Sequence, residues 1–350
     1  MAATYLDSPS PLDGSRKPYC WATLMTKEHL LPGLVVFADS LLKQHKSKYD
    51  LVVLATTDLS DAARSILQNI NGVIIRDVEP IRPVHQAKDL AFPRFTEVWT
   101  KLRAWELEDE YERVVLVDSD MLVRKNMDEI FDGEDGREIF ERADGQDWIG
   151  SSWACTCNPN KIATYPKEWI PENCGFTRQS SPTVATQPDA SWPRPAHLIN
   201  SGFVALKPSL TVLKDMIEEI SADETGMIRN FAFPDQDYLA YKFQSRIRYL
   251  PWYYNALKKL RIVHPNMWRD EDVRNVHFIL DKPWTVSPAQ TKQHVDAVTH
   301  GWWWAAFDEL QKQDVRNDSS GDRGTMNISQ KVWEAYVEKY VTFNVKDLEY

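Results

Sequence analysis

The chain has 350 residues, 43% of them hydrophobic, enough to bury one large core or one core with a smaller appendage. Its formal charge of -10 excludes a non-specific nucleic-acid binder, because an acidic surface repels phosphate backbones. No stretch approaches the ~18 uninterrupted apolar residues of a membrane span and Met1 to Tyr19 carries no apolar leader core, so the expectation is a soluble cytoplasmic protein.

Residues 19–25, YCWATLM, and 50–56, DLVVLAT, are short β-rich runs, and between them Leu30, Leu34, Val35, Ala38, Leu41 and Leu42 fall at helical spacing. Segment 60–69 reads as a helix capped by Ser60 and leads into a strand at 72–78. Segment 97–109 reads as a helix entering the continuous apolar run 113–123. Alternating β and α segments with fully apolar strands predict an α/β fold, its mostly parallel sheet covered on both faces and its ligands bound beyond the carboxyl ends of the strands. Residues 132–147 mix Asp, Glu, Gly and Arg and read as a solvated excursion. Residues 177–197, rich in Ser, Thr and Pro, read as a long loop, a lid or acceptor-site wall with disorder as the plain alternative. A strand at 202–206, a helix at 209–220 and the segment FPDQDYLAYKF follow; the tail from 288 reads as mainly helical, packing Trp302, Trp303, Trp304, Phe307 and Leu310. No internal repeat is present.

Four cysteines are too few and too irregular for a disulfide framework, which fits a reducing compartment. Cys155 and Cys157 form one C-x-C pair without a second pair or matching histidines, and therefore read as structural rather than as zinc ligands. Fourteen tryptophans supply flat apolar rings that suit sugar faces and nucleobases as well as cores.

Residues two apart in a strand point to the same side, so Asp118 and Asp120 can place both carboxylates on one hard cation such as Mg²⁺ or Mn²⁺. The spacing recurs at Asp235/Asp237 and Asp270/Asp272, where polar, helix-starting surroundings favour capping or solvation. Only the first pair follows a buried strand, Val114 to Val117, to the ligand-binding edge. A cation there has something anionic to clamp, and a diphosphate is the natural candidate. A G-x-x-x-x-G-K-[ST] loop and a G-x-G-x-x-G after the first strand are both missing, which argues against a P-loop NTPase and a dinucleotide oxidoreductase.

Six ordered blocks then resemble glycogenin-like retaining glycosyltransferases of family 8: ATLMT at 22–26, TKLRAW at 100–105, VDSDMLV at 117–123, INSGFVALKPS at 199–209, PDQDYL at 234–239 and VHFILDKPW at 276–284. The resemblance implies a GT-A fold, a UDP-glucose or UDP-galactose donor, manganese or magnesium, and an α-linked product. It implies a flexible N-terminus at 1–18, a transferase domain at 19–287 and a helical extension at 288–350 packed upon it. Carried across by position, Asp118, Asp120 and His277 become the metal ligands and Lys282 a point charge on the diphosphate, an exposed surface lysine being the plain alternative. Leu24 and Thr26 would border the uridine, although a buried first strand would look similar, and Ser119 would join the donor site. Asn200, Ser201, Asp235 and Gln236 match residues holding sugar hydroxyls, with Asp235 or Gln236 near the developing oxocarbenium charge. Lys101 would touch the sugar or orient Asp235, against a bland reading as a helix-surface lysine; Asp235 also suits an N-cap.

The chain departs from that pattern at three places. Leu280 stands where the family often has a glycine three residues after the metal histidine, Leu30 where an aromatic stacks on uracil, and Ala232 where an acidic partner of the Asp-Gln pair is found. No tyrosine lies between Tyr254 and His277, where glycogenin glucosylates itself, so transfer to a separate small-molecule, glycan or polyol acceptor is expected. The rival readings are a galactinol synthase-like transferase using UDP-galactose and a polyol, a nucleotidyltransferase lacking its usual N-terminal phosphate loop, and a UDP-sugar-binding scaffold. No nucleic-acid partner is expected, and a homodimer stays open.

Overall fold

The computed structural model describes residues 16–83, 97–320, 336 and 338–341. Residues 1–15 of the expected flexible N-terminus, and most of the expected extension beyond Ser320, lie outside the described residues.

Ten strands are described: β1 (Lys17–Met25), β2 (Asp50–Ala55), β3 (Val73–Asp77), β4 (Tyr111–Val117), β5 (Met121–Val123), β6 (Ile149–Trp153), β7 (Ile199–Leu206), β8 (Ile247–Tyr249), β9 (Ala256–Leu257) and β10 (Asn275–His277). Seven of them make a sheet of order β3-β2-β1-β4-β7-β6-β8, parallel from β3 through β4. β7 alone runs against both its neighbours, and β8 pairs parallel to β6. Leu51 to Ala55 and Val114 to Val117 are buried throughout, as expected for parallel strands covered on both faces.

The α-helices are α1 (Leu31–Ala38), α2 (Asp61–Gln68), α3 (Glu129–Asp132), α4 (Glu134–Phe140), α5 (Leu210–Ala222), α6 (Pro234–Lys242), α7 (Leu260–Val263), α8 (Pro288–Thr291) and α9 (Ala297–Ser320). Ser60 caps α2 by accepting from Ala63 N at 3.2 Å, and Ser209 caps α5 in the same way. Segment Val98–Asp109 is wound as 3₁₀ turns rather than as an α-helix. No described helix is long and apolar enough to cross a membrane.

Two expectations are corrected. Residues 132–147 are not simply a solvated excursion: α4 lies here, and Gly136, Ile139 and Phe140 are buried. Ile139 and Phe140 give α4 an apolar side that overrides its charged composition. The apolar run 113–123 is not one strand. β4 ends at Val117, and after Asp118, Ser119 and Asp120 the chain enters β5 of a second sheet, order β5-β10-β9. The described end of the tail packs on the first helix: the Trp303 and Trp284 rings lie 5.4 Å apart, Phe307 stacks on Trp303, and Trp284 fills the space above Gly33 of α1.

Candidate functional site

The link between the two sheets carries the first acidic pair. Asp118 N donates to Gly202 O at 3.0 Å, prolonging the β4–β7 ladder by one step, and Phe278 N donates to Asp120 O at 2.9 Å. These backbone bonds bring His277, at the end of β10, against both carboxylates: Nε2 lies 3.6 Å from Asp118 and 3.3 Å from Asp120. Gly202 leaves room for the imidazole, since any side chain there would run into its ring.

The tautomer of His277 follows from its neighbour. Asn255 Nδ2 donates to Asn200 Oδ1 at 2.9 Å, so Asn255 Oδ1 is an acceptor and His277 Nδ1, 2.9 Å away, carries the proton. Nε2 is therefore the ring nitrogen that faces the two carboxylates. With Nδ1 holding the proton, Nε2 can offer a lone pair beside two carboxylates, a set that suits a hard divalent cation, with Asn255 as the outer partner that fixes the ring. The donor set fits a metal.

Two lysines flank it. Lys282 pairs with Asp120 and donates to Phe278 O at 2.8 Å. Burial pushes the Asp120 carboxyl up, but the Lys282 ammonium and the adjoining His277 ring outweigh it and hold the group well below the usual carboxylate range. Lys101 is not a bland surface residue: its ammonium lies 2.7 Å from Asp118 and 3.2 Å from Asp235. Burial lowers its pKa, yet the two carboxylates more than reverse that.

Of the two readings for Asp235 and Asp237, capping or solvation, solvation does not hold: both are buried in the first turn of α6. Asp237 accepts from Phe233 N at 3.1 Å, a local cap, whereas Asp235 turns inward to accept from Ser201 at 2.7 Å. Asn200 donates to Gln236 at 3.2 Å. Asp270 is tied to Arg261 and Trp268 and stands apart.

These groups open on a cavity of about 680 Å³, whose walls include Leu24, Thr26, Ser119, Asp118, Asp120, His277, Lys282, Asn200, Ser201, Asp235, Gln236 and Lys101. Its size suits a nucleotide-sized ligand. Leu30 and Leu280, two of the departures, also line it. Leu280 keeps the left-handed backbone, φ 65°, that a glycine would take without strain, so the turn survives the loss of the glycine. Asn255 and Gly202 escaped the sequence reading. Gly202 sits inside the block INSGF, while nothing local distinguishes Asn255. Tyr165, Trp169 and Phe233 add an aromatic wall in which Trp169 stacks on Phe233 at 4.6 Å.

Comparison with known proteins bears on what this arrangement is. Galactinol synthase 2 of Solanum lycopersicum is 26% identical over 310 residues, covering 86% of this chain and 85% of its own. Galactinol synthase 2 of Arabidopsis thaliana is 25% identical over 340 residues, covering 94% and 91%. Among solved structures, the galactosyltransferase LgtC, in complex with donor and acceptor sugar analogs, superposes with a TM-score of 0.55 at 18% identity, covering 90% of this chain and 99% of its own, which marks a shared GT-A fold. The sequence signature of Glycosyl transferase family 8 matches residues 20–287, the stretch that builds both sheets and every cavity group named above, and the chain belongs to that family.

Proposed function

We propose that this glycosyltransferase moves a hexose from a UDP-sugar to a hydroxyl acceptor with retention, using Mn²⁺ or Mg²⁺ held by Asp118, Asp120 and His277. The observation that carries the reading is His277 Nε2 set 3.6 Å from Asp118 and 3.3 Å from Asp120 in the wall of a nucleotide-sized cavity. When bound, the ion supplies positive charge that offsets the charge gathering on the departing diphosphate. Lys282 adds a second positive charge at the same edge. Leu24 and Thr26 border the base, and Ser119 lies in the link beside the phosphates.

Asn200 and Ser201 offer an amide and a hydroxyl to the donor sugar. Asp235 and Gln236 stabilise the positive charge that develops at the anomeric carbon as its bond to UDP breaks. Lys101, clamped between Asp118 and Asp235, keeps those two carboxylates at a fixed separation and orients Asp235. The acceptor hydroxyl oxygen forms the new bond on the face that UDP leaves, and its proton goes to the departing diphosphate. Two relatives named galactinol synthases and a neighbour named a galactosyltransferase support UDP-galactose as the first donor to test and a small polyol as the first acceptor. Four cysteines outside any disulfide suit a reducing compartment, and we place the reaction in the cytoplasm.

The test is UDP release from a panel of UDP-sugars with Mn²⁺, repeated with polyols and glucans. Turnover is expected with UDP-galactose and a polyol, and Asp118→Asn and Asp120→Asn should each lower kcat roughly 10²-fold or more. Full activity in either variant with added Mn²⁺ overturns the metal assignment, and donor binding without turnover favours a binding scaffold.

A further inference from the structure

The C-x-C pair lacks its partners only in the sequence. Cys155 and Cys157 follow β6, Cys174 lies between two 3₁₀ turns, Pro171–Asn173 and Gly175–Arg178, and His264 closes α7; the fold brings all four together. Their ligand atoms lie within 4.8 Å of one another. His264 Nε2 is 3.7 Å from Cys155 Sγ, 3.3 Å from Cys157 Sγ and 3.7 Å from Cys174 Sγ.

A hydrogen-bonded cluster explains this poorly. One imidazole nitrogen offers either one N–H or one lone pair, and three sulfurs converge on it from two places in the chain. A tetrahedral ion explains it well: with Zn–S near 2.3 Å and Zn–N near 2.0–2.1 Å, the sulfur-to-nitrogen edge of the tetrahedron is ~3.6 Å. A bridged iron–sulfur cluster spreads its ligands over more than one iron, whereas these four ligand atoms sit close enough to share one.

We propose that Cys155, Cys157, Cys174 and His264 bind one structural Zn²⁺. Three thiolates and an imidazole select zinc, and four protein ligands leave no open position for chemistry. The surroundings suit such a site. Cys157 and Cys174 are buried, and the Phe176 ring packs on both His264 and Trp153. Between Trp153 and Ile199 the chain has no strand or α-helix, only short 3₁₀ turns, yet Trp169, Cys174 and Phe176 are buried. A stretch of that length needs a tie, and the ion supplies one between this segment and α7. Cys155, Asn158, Tyr165 and Trp169 of the same segment line the cavity, so the tie also sets one of its walls.

The full chain, produced in zinc-supplemented medium and purified without chelator, should hold about one zinc per molecule by elemental analysis. Replacement by Co²⁺ should give thiolate charge-transfer absorption and the intense visible bands of a tetrahedral site. Asp118→Asn should keep both the zinc and the cobalt spectrum, which separates this site from the one at Asp118. Cys157→Ser and His264→Ala should lose zinc. If either fails to fold, the zinc count and cobalt spectrum of the unaltered chain still decide. A chain that folds with no zinc, a disulfide mapped among the three cysteines, a cobalt spectrum without sulfur ligands, or loss of the zinc in Asp118→Asn overturns the proposal.

Discussion

The amide of Asn255 is spent on Asn200, so its oxygen must take a proton from His277 Nδ1, and that single constraint decides which imidazole nitrogen meets the carboxylates. Asn255→Leu removes the constraint and leaves Nδ1 without an acceptor. The expected result is a Mn²⁺ requirement for half-maximal activity raised about 10- to 100-fold, measured by metal titration of UDP release. Lys101, Asp118 and Asp235 form a comparable local balance in which one ammonium serves two carboxylates. At this scale the types of the site residues were readable from the ordered blocks, but their states were not. Protonation and partner depend on neighbours such as Asn255, which lies far from His277 in sequence.

At the scale of elements, α6 places two acidic residues in one turn and gives them different work. Asp235 faces the cavity, and Asp237 caps the helix from a buried position where burial pushes its carboxyl from 3.8 up to about 6, against the opposing effect of the bond from Phe233 N. The folded chain thus holds this proton more tightly than the unfolded chain. The stability it contributes is complete below about pH 3.8 and is lost as pH rises through about 6. Asp237→Asn keeps an acceptor for Phe233 N and removes the buried charge, so it should be more stable than the parent at pH 7.5 by about 2–3 kcal/mol. The gap should close near pH 4, as read from denaturant unfolding at the two pH values. The turn at Leu280 is a second case. It holds a left-handed backbone without glycine, and the same loop is fastened by Lys258, whose fully buried ammonium donates to Asp281 O at 2.6 Å and lies 3.1 Å from Asp296. A buried ion network of this kind fixes a loop more than it adds net stability.

For the whole molecule, the first helix and α9 meet around Trp284. Its indole N–H donates to His29 O at 3.1 Å, its ring fills the space over Gly33, and Trp303 covers it from α9. Lys282 stands two residues before it, so this aromatic stack couples α9 to the cavity. Trp303→Ala opens a hole against Trp284 and should cost about 3–5 kcal/mol of stability in thermal or denaturant unfolding. The sequence by itself determined the strand-helix alternation, the buried parallel strands, the cap at Ser60 and the residue types of the acidic pair, because those depend on periodicity and on contacts within one or two turns. It could not foresee that β4 breaks at Asp118 to enter a second sheet, or that α4 would bury an apolar side despite its charges. Only the tertiary structure decided those points, together with the meeting of His277 with Asp118 and Asp120 and of Cys174 and His264 with the C-x-C pair. Each of these turns on groups distant in the chain being held together by the packed sheets, and local composition carries no record of that.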